Sequence, residues 1–135
     1  SEMCIRDRYY TRYKFDSSTE LDFSFILETN GEVLKWLRPV PSQFNIYWDG
    51  GVHKYEVDFI VETPDTIFMC ETKAEKDVND ANVQAKAKAA CEFCRDASEF
   101  TAQNGGKPWQ YVIIPHTIVD RAYSFNYILK QAELK

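Results

Sequence analysis

Tyr55-Glu56-Val57-Asp58-Phe59-Ile60-Val61 and Thr66-Ile67-Phe68-Met69-Cys70-Glu71-Thr72-Lys73 are two β-rich runs separated by the turn-forming Thr63-Pro64-Asp65. Side chains on a strand alternate between its two faces. In the first run Val57, Phe59 and Val61 therefore share one face, and Glu56, Asp58 and Ile60 the other. In the second, Ile67, Met69, Glu71 and Lys73 lie on one side, and Phe68, Cys70 and Thr72 on the other. Both faces of the second run are apolar until Glu71, the pattern of a central strand covered on both sides. Each run thus carries acidic residues toward one place, and the second adds a lysine beside its glutamate.

Upstream, Asp16-Ser17-Ser18-Thr19-Glu20 precedes Leu21, Phe23, Phe25, Ile26 and Leu27. Ser17 and Glu20 stand at capping-box spacing, which predicts a helix starting here and stopping at Asn30-Gly31. Val33–Leu37 reads as a strand ending before Pro39 and Pro41, and Phe44–Trp48 as a half-buried strand closed by an Asp49-Gly50-Gly51 turn. Downstream, Val83, Ala87, Ala90, Cys94 and Ala97 step by four and three, which predicts a helix from about Asp77 to Phe100 with a stripe of small core residues. Gly105-Gly106 leads to a strand at Trp109–Ile114, Pro115 ends it, and an amphipathic stretch from Val119 to Leu134 follows. The expected order is α-β-β-β-β-α-β-α, an α/β domain with a mixed central sheet flanked by helices.

The chain of 135 residues, 44% apolar and 15% aromatic, suffices for one packed core. Its first eight residues, Ser1–Arg8, resemble the conceptual translation of a sequencing adaptor and are expected to be a non-native scar. That leaves 9–135 as a single domain, expected to be the C-terminal part of a longer protein. Sixteen basic and twenty-one acidic residues give a net charge of −5, so any hold on nucleic acid must be local or lent by a partner. Lys73, Lys76, Lys86 and Lys88 offer one local basic patch, although lysines so placed more often form a solvated helix face. Four scattered cysteines fit a reducing cytoplasm, and no apolar run reaches the length needed to cross a bilayer.

The acidic cluster has a chemical reading and a structural one. A hard divalent cation such as Mg²⁺ takes oxygen ligands and keeps several waters, so Asp58 and Glu71, with the Thr72 carbonyl, are enough protein for one site. Lys73 beside them suits the activation of an attacking water or the neutralisation of a phosphate. The same residues also make an ordinary ion pair, and the residues alone leave both readings open. Cys91 and Cys94 form half a zinc site with no second half, and Cys94 falls on the core stripe. His53 and His116 have no Ser or Cys nucleophile motif to serve, and no Gly-rich phosphate loop is present, so ATP binding by this chain is not expected.

From about Tyr13 onward the ordered set resembles the PD-(D/E)XK nuclease superfamily, and within it the C-terminal endonuclease domain of type III restriction enzyme helicase subunits. Phe15-Asp16-Ser17-Ser18-Thr19-Glu20 resembles the family's first-helix stretch with its acidic residue. Tyr55–Val61 matches the strand with the central Asp, although Val57 replaces the usual preceding proline; Glu71-Thr72-Lys73 matches the (D/E)XK element. Lys107-Pro108-Trp109-Gln110-Tyr111-Val112-Ile113-Ile114-Pro115-His116 resembles the closing strand.

The resemblance implies a restriction-endonuclease-like core and a Mg²⁺-dependent DNA endonuclease, with Mn²⁺ able to substitute. Asp58 and Glu71 would ligate the metal with the Thr72 carbonyl, Lys73 would be the catalytic lysine, and Glu20 an auxiliary acid and further ligand, unless it serves only the capping box. Lys76, Gln84 and Lys88 would be minor DNA contacts. Duplex DNA, an ATP-driven helicase region upstream and a methyltransferase subunit are the implied partners. A non-catalytic DNA-docking module on the same scaffold, and a repair or junction nuclease of the same superfamily, are the alternatives.

Overall fold

The computed structural model describes residues 17–40, 46–48 and 53–133. The expected scar at Ser1–Arg8, the Phe15-Asp16 part of the first-helix motif and the turn expected at Asp49-Gly50-Gly51 lie outside the described residues. Helix α1 (Ser18–Thr29) begins where the sequence predicts, with Ser17 Oγ accepting the Glu20 N–H at 3.2 Å. It ends at Asn30, whose Nδ2 donates to the Ile26 carbonyl at 2.8 Å. Three short strands follow, β1 (Lys35–Leu37), β2 (Ile46–Trp48) and β3 (His53–Tyr55), and then β4 (Phe59–Glu62) and β5 (Ile67–Lys73). Helix α2 (Ala81–Gln103), strand β6 (Trp109–Pro115) and helix α3 (Phe125–Glu133) complete the chain.

Four strands form one mixed sheet in the order β1-β4-β5-β6, while β2 and β3 make a separate antiparallel pair. β4 is antiparallel to both β1 and β5, and β5 runs parallel to β6. The α/β class and the mixed sheet are thus as expected, but there is one more strand than predicted. The run Tyr55–Val61 is not continuous: its start pairs with β2, its end enters the main sheet, and Glu56–Asp58 form the break. Alternating hydrophobicity is the same on both sides of such a break, so the pattern alone does not reveal it.

β5 is central, with a core on each face. Phe68 and Cys70 share one cluster with Phe59 of β4, Phe23, Ile26 and Leu27 of α1, and Phe125 and Ile128 of α3. Met69 and the partly buried Ile67 pack on the other face under α2, with Ala90 and Cys94. Phe23 meets Phe59 edge-on at 5.0 Å, and Phe68 meets Phe125 edge-on at 5.6 Å. Truncating any fully buried phenylalanine of this set to alanine would cost about 3–5 kcal/mol.

Two helix boundaries differ from the sequence reading. A 3₁₀ turn at Glu75–Asp77 precedes α2, which starts only after Asp80 accepts the Asn82 N–H at 3.2 Å. Its buried stripe is Val83, Ala90 and Cys94, with Ala87 and Ala97 half-buried at its margin. The last helix starts at Phe125 rather than Val119, after a 3₁₀ turn at His116–Ile118. Ser124 Oγ accepts the Tyr127 N–H and Asn30 Oδ1 the Phe125 N–H, so the start is set by caps. Among the described residues no helix is long and apolar enough to cross a membrane.

Because a parallel pair ends both strands at the same edge of the sheet, β5 and β6 deliver Lys73 and Pro115 side by side, in direct register. Asn30 fastens the opposite side of the domain, bonding the end of α1 and the start of α3 at once. Asn30→Ala is expected to lower stability by about 1–3 kcal/mol. A urea midpoint equal to that of the parent chain would contradict this coupling.

Candidate functional site

At the end of β5, Glu71 and Thr72 are each only 6% exposed, and Lys73 is half-buried. Phe59 is the last β4 residue opposite β5, facing Cys70. Beyond it the ladder is continued by a side chain: Asp58 Oδ2 accepts the Thr72 N–H at 3.0 Å. Asp58 therefore lies just before the strand, correcting its expected position within it. A strand residue turns its N–H and C=O toward the same neighbour, so the Thr72 carbonyl is also on the Asp58 side.

Glu71 Oε2 accepts a hydrogen bond from Tyr111 Oη at 2.7 Å, and its Oε1 lies 3.9 Å from Lys73 Nζ. Glu20 comes from the first turn of α1. Its backbone N–H serves the Ser17 cap, and its Oε1 pairs with Arg38 Nη2 at 2.5 Å. The Arg38 guanidinium also covers the Phe59 ring at 5.1 Å. Removing Arg38 would leave a nearly buried carboxylate without this cation, a type of loss that costs about 3–5 kcal/mol.

Ser17, Glu20, Asp58, Glu71, Thr72, Lys73, Ala74, Asp77 and His116 line one open cavity of about 290 Å³. All four expected central residues and Glu20 thus meet, although they come from α1, the β4 approach and β5. Lys76, Gln84 and Lys88 are exposed and do not line it. Gln84 Nε2 instead donates to the Val78 carbonyl at 2.5 Å, and Lys86 covers the Trp48 ring at 5.2 Å. Cys94 is buried, its Sγ donating to Met69 Sδ at 3.3 Å, and burial pushes its thiol up to about 12. The cysteine pair is therefore core on one side and surface on the other, since Cys91 is exposed.

Sequence reasoning missed Arg38, Tyr111, Asp77 and His116. The one available signal was for His116: a strand, helix and strand in succession suggest a parallel pair, whose ends would adjoin. Arg38 gave no signal, because its link to Glu20 spans the fold.

Burial raises the Asp58 carboxyl to about 7, helped by the neighbouring Glu71 and Glu20 carboxylates and opposed by the Thr72 N–H and Arg38. Four carboxylates face one lysine in the cavity, so a bound cation would offset the part of the Asp58 shift that comes from its acidic neighbours, after the larger part that comes from burial. Among the described residues no group of three or more His, Cys, Asp and Glu side chains is disposed to hold a metal ion. The donors at hand are two carboxylates, Asp58 and Glu71, and the Thr72 carbonyl. That all-oxygen set fits a hard cation that keeps most of its waters.

No family model, curated protein or solved structure matches this chain.

An acid whose pKa is higher in the folded state than in the unfolded one stabilises the fold at low pH and loses that contribution as pH rises. From an ordinary value of 3.8 to about 7, the metal-free chain should lose stability across this window, by a few kcal/mol at about 1.4 per pH unit. Asp58→Asn keeps an acceptor for the Thr72 N–H and removes the titration. In chelator its melting temperature should exceed the parent's at pH 8, with the advantage shrinking toward pH 4. An advantage that does not change with pH would refute the assigned cause.

Proposed function

We propose that this chain is a divalent-metal-dependent endonuclease domain that hydrolyses DNA phosphodiester bonds, on a core of the PD-(D/E)XK type. The observation that carries the reading is the convergence of Asp58, Glu71, Thr72 and Lys73 on one cavity at the carboxyl end of β5. The element order supports it as well. The chain has a mixed four-stranded sheet with helices in the order α1, α2, α3 around it, in keeping with the mixed central sheet flanked by helices that the resemblance implies.

In this reading Asp58, Glu71 and the Thr72 carbonyl hold Mg²⁺ or Mn²⁺. When bound, such an ion lowers the pKa of its water and polarises the scissile phosphate. Asp58 would hold the ion as its carboxylate, which the Thr72 N–H, donating to Oδ2 at 3.0 Å, keeps in place. Lys73 presents its ammonium to the cavity, beside Glu71, where it offsets charge developing on the phosphate. Glu20 acts chiefly through its negative charge, since Arg38 holds its Oε1. With an acidic cavity and a net charge of −5, this reading needs the grip on DNA to come from neighbouring regions. A helicase region and a methyltransferase partner of a type III restriction system are the ones the resemblance implies.

Calorimetric titration of the chain with Mn²⁺ tests the site without partners, and Asp58→Ala or Glu71→Ala should remove the binding. No binding by the parent would favour a docking module in which Glu71 and Lys73 are an ion pair. In the full reading frame, Asp58→Ala, Glu71→Ala and Lys73→Ala should each lower duplex cleavage by about 100-fold or more. Undiminished cleavage by Lys73→Ala would refute the proposal.

A further inference from the structure

Resting on that site reading, we infer that Tyr111 is a positioning residue of the metal centre, fixing the rotation of the Glu71 carboxylate. Tyr111 sits on β6 opposite Met69 of the parallel β5, two positions before the residue that pairs with Glu71. Residues two apart share a face of the sheet, so Tyr111 and Glu71 lie on the same side. The long tyrosine side chain leans along the strand to close the gap, and Tyr111 Oη donates to Glu71 Oε2 at 2.7 Å.

A carboxylate this deeply buried needs donors, and each donor that it accepts fixes which oxygen turns where. With Oε2 held by the phenol, Oε1 is the oxygen nearer Lys73, at 3.9 Å, and Lys73 lines the cavity. The phenol thus directs one oxygen toward the place where the cation belongs and anchors the other in the sheet. The ring itself packs against the cluster of Met69, Ala90 and Cys94 beneath α2, which ties the orientation of Glu71 to a rigid part of the domain. A tyrosine that merely filled the core would need no hydroxyl at this point. Hydrogen-bond partners of metal-ligating carboxylates act in this manner, and their loss weakens metal affinity rather than the fold.

Tyr111→Phe removes the hydroxyl and keeps the ring, so the two roles separate. Titrating the whole chain with Mn²⁺, followed by calorimetry and by the spin-resonance signal of free Mn²⁺, should give an affinity about 10- to 100-fold below the parent's. The melting temperature in chelator should change by only a few degrees. Glu71→Gln, which keeps an acceptor for the phenol but loses the charge, should abolish Mn²⁺ binding while leaving the fold intact. If the parent binds Mn²⁺ and Tyr111→Phe binds it within about twofold as tightly, the positioning role is overturned while the metal site stands. If the parent binds no Mn²⁺, the site reading falls and this inference with it.

Discussion

The hydrogen bond from the Thr72 N–H to the Asp58 carboxylate, 3.0 Å long, is the constraint on which the site depends. It stands where the β4–β5 ladder would otherwise continue, so it ends one structural role and begins another. By substituting a side chain for a backbone partner, it lets the chain bend before β4 and still satisfies the Thr72 amide. A buried amide without a partner would cost about 1–3 kcal/mol. The same bond holds Asp58 beside Glu71 despite their repulsion.

That repulsion explains the rest of the local design. Burial and like charges drive Asp58 toward its neutral form, up to about 7, while Arg38, Lys73 and Tyr111 serve the other two inner carboxylates. Arg38 pairs with Glu20, Lys73 lies near one Glu71 oxygen, and Tyr111 donates to the other. The result is a pocket in which Asp58 is held toward its neutral form while Glu20 and Glu71 keep partners. A protein that wanted only stability would gain more from apolar residues at these positions, since buried charges recover their desolvation only with good partners.

Much of this was legible in the residues. The apolar faces of Ile67–Cys70 predicted a doubly covered central strand, and the two cores found on its faces have that form. The Ser17 cap and the Asn30 stop were readable because capping is local chemistry. The convergence of Asp58 with Glu71-Thr72-Lys73 was expected from their placement at strand ends. Less legible were the break at Glu56–Asp58 and the late start of α3. The helix start follows from a partner far away in sequence, Asn30, and the break from the division of one apolar run between two partners, β2 for its start and β5 for its end.

The sequence by itself determined the class of most elements, the two-faced burial of β5 and the acidic residues Asp58 and Glu71 near its end, because periodicity and capping act over a few residues. Only the tertiary structure decided that Asp58 reaches the Thr72 amide from outside the strand, that Arg38 holds Glu20, and that Tyr111 holds Glu71. Those contacts join residues 14, 18 and 40 positions apart. Side-chain pairing at such range depends on strand register and helix placement, which the packing of the whole core fixes and no local pattern encodes.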